Sequence, residues 1–291
     1  MKCVERYAEM LTAKRKPFTL VDGQLFTRHQ QWIAPVGPAA QRYSLTRQQA
    51  CELQKKLGGW WVSWTDGFGA DATASEWYAV ICRKHKPVEE ISSGNTRSKV
   101  RRGLKFCEVR RVEAAEIARK GYDTYRAALQ GYSVEASVPS LEAFAQRVLT
   151  DAPFTDIKHH WAVYHEGRMV AFAHCLLYDR NEVDYTLIKL HPDYLNRYPS
   201  YALFHSMNQF YLEQERFEYV NDGFRSILHE TGVQDFLIRE FEFEKAATNL
   251  RLQFRQPVAA LLPVSAPLHP MLSRIDKRLK SVLELWRLRV A

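Results

Sequence analysis

The sequence predicts an α/β fold of the α+β kind, in which a mixed, mostly antiparallel central sheet is flanked by helices and joined by an additional N-terminal α/β half. Three observations carry this expectation. Trp161 to Tyr164, Met169 to Tyr178 and Val183 to Leu190 are strand-like runs whose short links, His165-Glu166-Gly167-Arg168 and Asp179 to Glu182, suit hairpins and an antiparallel meander. Ser200 to Glu215 then places Leu203, Met207, Phe210 and Tyr211 at the i, i+4, i+7, i+8 spacing of an amphipathic helix. Around them, strand-like and helix-like segments alternate from Cys107 to Phe254. With 291 residues, 33.9 kDa and 46% apolar content, the chain can bury roughly three quarters of its unfolded surface, as one large domain or two small ones.

Residues 1–94 read as mixed structure: a helix Thr46 to Leu57 stopped by Gly58-Gly59, a Trp-rich strand Trp60 to Trp64, a glycine-bearing loop Thr65 to Ala70, and a strand Glu76 to Arg83 before Pro87. Asn95 to Lys105 reads as a short basic helix capped by Asn95 or Thr96. A strand Cys107 to Val112 follows, then helices from Ala114 to Gly131 and from Pro139 to Thr150. After the meander and its amphipathic helix, Phe217 to Val220 is a strand and Asn221-Asp222-Gly223 turns the chain. Thr231 with Gln234 three residues on suggests a capping box for a helix through Glu240. Leu250, Leu252 and Phe254 alternate in a last strand closed by Pro257. From Met271 a helix carries Ile275, Leu279, Val282 and Trp286 on one stripe. The expected organisation is an N-terminal region 1–94, a main domain 95–257, and a linker with an amphipathic helix at 258–291.

Forty-one Lys+Arg against 33 Asp+Glu give a formal charge of +8, which suits an anionic ligand such as a nucleotide or CoA as well as it suits nucleic acid. Cys3, Cys51, Cys82, Cys107 and Cys175 show no CxxC or Cys/His ligand spacing, so reduced, mostly buried thiols are expected instead of disulfides or a zinc site. His229-Glu230 lacks the second histidine of a zinc-protease helix, and no metal is expected. The longest apolar runs, Val258 to Val264 and Met169 to Tyr178, fall far short of the ~20 residues a bilayer span needs, and Met1 to Leu20 carries charge throughout. A cytoplasmic location is the expectation.

The order β-α-α-β-β-β-α-β-α-β from Cys107 to Phe254, with the stretch from Leu190 through Arg197, Tyr198, Pro199, Ser200, Tyr201 and Ala202, resembles the acyltransferase fold of the GNAT superfamily. In that family a loop of pattern Arg/Gln-x-x-Gly-x-Gly/Ala opens a helix whose backbone N–H groups bind the CoA pyrophosphate, because unpaired donors and the positive dipole end meet an anion. The resemblance assigns that role to Leu190, Arg197, Tyr198, Ser200, Tyr201 and Ala202, with Ser200 standing where the family has its first glycine. The other reading is a Tyr-Pro-Ser turn that simply caps a helix. The basic run Arg97 to Lys105 and the ending Phe236 to Lys245 resemble the second module of the Fem-type aminoacyltransferases, which build peptidoglycan cross-bridges. That similarity covers about residues 95–256. Arg97 to Arg111 also reads as a solvated face, with seven basic residues in fifteen.

Acyl transfer to an amine needs the amine unprotonated, hence a base. His174 is the one titratable group in the middle of its strand and has a suitable ordinary pKa, with a satisfied core histidine as the other reading. Asp184 on the neighbouring strand is the second candidate base or amine anchor. Cys175 points to the face opposite His174, which argues against a Cys-His nucleophile. The resemblance thus implies an N-acyltransferase that moves an acyl group, acetyl first among them, from acetyl-CoA or another acyl-CoA to the amine of a small molecule or peptide, without metal. The alternative is a Fem-type transferase using aminoacyl-tRNA, or a nucleic-acid-associated protein; tRNA is the less favoured partner, since the basic segment lacks interleaved aromatics for base stacking.

Overall fold

The structure, a computed structural model, describes residues 2–73, 76–130, 138–226, 232–265 and 277–289. The chain divides into two compact units. One comprises Met1–Val80, Gly223–Gln234 and Lys245–Ala291, the other Ile81–Asp222 and Asp235–Glu244.

The first unit begins with helix α1 (Lys2–Ala13) and strands β1 (Phe18–Val21), β2 (Gln24–His29) and β3 (Trp32–Pro35), joined as antiparallel hairpins. Asp22 and Gly23 make the first turn with φ of 48° and 74°, the left-handed pair that matches strand twist. Helix α2 (Arg47–Leu57) has a full capping box, Thr46 with Gln49, and stops at Gly58 with φ 77°. Strand β4 (Trp61–Phe68) lies parallel to β3. The segment expected as a glycine loop after Trp64 is part of β4: Thr65 and Asp66 pair with Leu250 and Asn249 of β11 (Glu244–Phe254), and Gly67 at φ 71° is absorbed where the register shifts. Phe26, Ile33, Leu53 and Val62 form the core beneath α2. Helices α9 (Gln256–Ser265) and α10 (Lys277–Leu288) complete this unit. Among its described side chains α10 buries Leu283, Leu285 and Leu288, while Val282 and Trp286 of the expected stripe are half-buried; Met271 and Ile275 lie outside the described residues.

The second unit is built on the strand order β5-β10-β9-β8-β7-β6, with β5 at Tyr78–Cys82, β6 at Glu108–Val112, β7 at Lys158–His165, β8 at Arg168–Tyr178, β9 at Glu182–Leu190 and β10 at Tyr219–Phe224. β6 to β9 are antiparallel neighbours, whereas β9 and β10 are parallel. The β7–β8 turn is Glu166-Gly167, both with positive φ. Helices α4 (Ala114–Lys120), α5 (Tyr122–Gln130) and α6 (Leu141–Leu149) follow β6, and α4 and α6 bury Ile117, Phe144 and Val148 against Ala162, Tyr164 and Phe172. The single helix expected from Ala114 breaks at Gly121, where a Cβ would stand 2.8 Å from the Ile117 carbonyl oxygen.

Helix α7 (Pro199–Asn208) continues as a wider π-helical turn, Gln209–Gln214, whose Tyr211 hydroxyl accepts from Trp161 Nε1 of β7 at 2.9 Å. Met207 and Tyr211 meet the sheet face that carries Cys175, opposite His174 as strand alternation requires. Helix α3 (Gly94–Phe106) packs along α7 and is capped by Ser93, whose Oγ accepts from the Thr96 amide; Thr96 instead sends its hydroxyl to Glu240 of α8 (Val233–Phe241). Asn221-Asp222-Gly223, expected as a turn, is strand: Asn221 pairs with Asp184, and its amide donates to buried Glu182. Thr231 of the expected capping box lies outside the described residues. Cys51, Cys82, Cys107 and Cys175 are free thiols, and burial raises the Cys175 thiol to about 12. Among the described residues no helix is long and apolar enough to cross a membrane.

Candidate active site

The N-terminus of α7 packs against the basic helix α3. After β9, a 3₁₀ turn (Pro192–Arg197) leads to Tyr198, held left-handed at φ 58°, and Pro199 opens the helix with its fixed φ and no surplus donor. α3 lies directly against this turn because Gly103 has no side chain: a Cβ there would be 2.6 Å from the Tyr198 carbonyl oxygen and 3.2 Å from the Ala202 nitrogen. From α3, Lys99 donates to the Tyr201 hydroxyl at 3.1 Å and Arg102 to the Tyr198 hydroxyl at 3.0 Å. Their charges also lie over the same two rings, at 5.2 and 4.7 Å, and Arg197 lies over Phe106. Three cations therefore surround a helix start that already carries the positive dipole end. Ala202 is buried with its amide donating to Tyr198, whereas Ser200 is half-buried and Arg197 exposed.

The second feature lies between β9 and β10. Their parallel ladder holds only Tyr219↔Glu182, Val220↔Val183 and Asn221↔Asp184, so it ends at Asp184 with Asp222 next in the chain. Glu182 is buried and accepts from the Tyr219 hydroxyl (2.7 Å) and the Asn221 amide (2.8 Å). Burial, with Glu182 and Asp222 nearby, lifts the Asp184 carboxyl well above the usual range, and burial raises Asp222 to about 7. Beside them the Tyr185 hydroxyl donates to Asn208 of α7 at 2.8 Å. A carboxyl titrating near neutrality, where a two-strand ladder ends, is placed to exchange protons at physiological pH.

The expected site residues fall into three places. Leu190, Arg197, Tyr198, Ser200, Tyr201 and Ala202 line the end of β9 and the start of α7. Asp184 is at the end of the β9–β10 ladder. His174 is on β8 opposite Leu187, on the face that also carries Phe172; His160 of β7 faces it in register, the rings 4.6 Å apart, and the His174 Nδ1 lies 3.9 Å from Asp151 Oδ2. Asp222 escapes the linear reading because Asn-Asp-Gly is a strong turn signal, overridden here by pairing with β9. Asp151 and His160 are seen as partners of His174 only once β7 and β8 are in register. This trio is the one group of His, Cys, Asp or Glu side chains among the described residues spaced to hold a metal.

No protein-family model matches the chain, and no curated protein matches it. Two solved structures nevertheless share this fold along most of their length. One is the C-terminal domain of a proposed lysylphosphatidylglycerol synthetase from Agrobacterium fabrum, with a TM-score of 0.55 and 14% identity, covering 88% of this chain and 90% of the other. The other is FemX, with a TM-score of 0.55 and 11% identity, covering 88% and 92%. At these identities the likeness concerns architecture.

Proposed function

We propose that this protein is a transferase that carries an acyl group from acyl-CoA, acetyl-CoA foremost, to the amine of a small molecule or peptide. The observation that carries the reading is the start of α7: a half-buried Ser200 in the first turn, with Lys99, Arg102 and Arg197 around it, offers backbone donors and positive charge to a pyrophosphate. The carboxyls of Asp184 and Asp222 belong to the same unit. In this reading Asp222, titrating at about 7, takes the proton from the substrate ammonium. The neutral nitrogen then adds to the thioester carbonyl, the C–N bond forms, the C–S bond breaks, and the nitrogen's surplus proton leaves with the thiolate. Asp184 anchors the amine, and His174 is the other candidate proton acceptor.

Calorimetric titration with acetyl-CoA tests the donor site. Wild type and Ser200→Gly should bind, the glycine variant at least as tightly because the backbone can approach more closely, and Ser200→Glu should lose binding because its carboxylate occupies the anion position. Absence of binding to wild type, or equal binding to all three, refutes it. A thiol-release assay over a panel of amines assigns the base: loss of rate by roughly 10²–10⁴-fold in His174→Ala but not in Asp222→Asn moves the role to His174.

The basic helix α3 at the same helix end supports a second reading, in which the donor is an aminoacyl-tRNA. Then tRNA affinity should fall steeply with log[salt], and Lys99→Glu with Arg102→Glu should flatten that slope by up to about one unit per lost phosphate contact. Sub-micromolar tRNA binding at physiological salt that the double variant abolishes would replace acyl-CoA with this donor.

A further inference from the structure

We propose that Asp151, His160 and His174 bind one divalent transition-metal ion of the zinc class, which pins the β7–β8 hairpin to the end of α6. The placement comes from the fold. His160 and His174 are cross-strand partners, so their Cβ atoms are held on one face of the sheet and their rings approach to 4.6 Å, edge to face. Asp151 ends the α6 segment, its amide donating to the Val148 carbonyl, and its Oδ2 reaches to 3.9 Å from His174 Nδ1. One ligand atom from each of the three lies within 4.8 Å of the other two. Around a tetrahedral zinc with bonds of about 2.0–2.1 Å the ligand atoms stand about 3.4 Å apart. The ligand atoms have to draw together by up to about 1.4 Å to reach that spacing.

Two imidazole nitrogens and one carboxylate oxygen are a donor set that first-row divalent ions accept, and alkaline-earth ions, which demand oxygen, do not. All three residues are at least nine-tenths buried, at 4%, 4% and 7% exposure, and they leave the fourth position of a tetrahedral ion to a water molecule. Lys158 is part of the same arrangement. Its Nζ lies 2.7 Å from Asp151 Oδ2 and its side chain is 11% exposed, so an ammonium supplies positive charge at the carboxylate that the metal would take. The ion must displace that ammonium. Lys158 thus competes with the metal, and its removal should strengthen binding.

The full chain, stripped with a chelator and dialysed, would be titrated with Zn²⁺ by calorimetry and with Co²⁺ by visible absorption. The expected result is one equivalent bound, with the intense ligand-field bands of four-coordinate cobalt and a rise in Tm on adding Zn²⁺. His160→Gln, which keeps a polar side chain and leaves the acyl-transfer residues alone, should weaken binding at least about 100-fold. Lys158→Met should tighten it by roughly tenfold. No stoichiometric binding, or binding that is the same in wild type, His160→Gln and Lys158→Met, overturns the proposal. Because the readout is metal affinity and Tm, its failure leaves the acyl-transfer reading untouched, and failure of acetyl-CoA binding leaves the metal site untouched.

Discussion

Gly103→Ala tests the contact that builds the candidate donor site. The added methyl would fall 2.6 Å from the Tyr198 carbonyl oxygen, 3.2 Å from the Ala202 nitrogen and 3.3 Å from the Ala202 Cβ, so it meets backbone on α7 and no flexible side chain can yield. α3 and α7 have to separate by several tenths of an ångström. Overpacking costs about 1–3 kcal/mol, and a clash with unyielding backbone belongs to the upper part of that range, about 2–3 kcal/mol; alanine returns about 1 kcal/mol of helix propensity, for a net loss of about 1–2 kcal/mol. In a unit of about 150 residues that lowers Tm by roughly 2–8 °C. Gly94→Ala in the same helix is the control, since a Cβ there meets only the Arg97 Nη2 atom at 3.5 Å. Thermal melts of both variants, with acetyl-CoA titration of each, separate packing from propensity. A Tm for Gly103→Ala at or above wild type would mean that α3 does not lie against the Tyr198 turn, and the cation cluster around α7 would go with it.

Asp222→Asn should lower acyl transfer by roughly 10²–10⁴-fold. Because the folded carboxyl titrates at about 7 and an unfolded one near 3.8, the ionised form costs stability as pH rises through that window. The variant should therefore be more stable than wild type at pH 8, by on the order of 4 kcal/mol in urea unfolding. An unchanged rate removes Asp222 from the mechanism. His205 acts with the opposite sign: it is buried edge-on to His85 at 4.6 Å, and burial first, then His85, lowers it to about 4. Between pH 6.5 and 4 the unfolded chain binds the proton that the folded one refuses, so stability falls on acidification. Relative to His205→Gln, wild type should lose about 2 kcal/mol between pH 7 and pH 5. Parallel pH profiles for the two proteins would contradict that burial.

Local patterning determined much of this protein before any contact was known. The Glu166-Gly167 hairpin, the stop of α2 at Gly58, the placing of Cys175 and His174 on opposite faces of β8, and a helix opening after Tyr198 all follow from turn chemistry and from periods of 2 and 3.6, which act over a few residues. Elements whose state depends on a distant partner were not legible. Thr65 to Phe68 and Asn221 to Phe224 carry turn-forming residues, yet both are strand, the first because its residues face β11 and the second because its leading residue Asn221 pairs with Asp184 of β9. Likewise nothing near Asp222 in the chain announces a carboxyl at about 7, since that shift comes from burial created by other segments. The reason for a glycine at position 103 lies in α7 packed against it, and Asp151, His160 and His174 are neighbours only because β7 and β8 are in register beside α6. Short-range sterics and hydrogen bonding are written along the chain; burial and long-range register, which set the charge and proximity of the functional groups, exist only in the folded state.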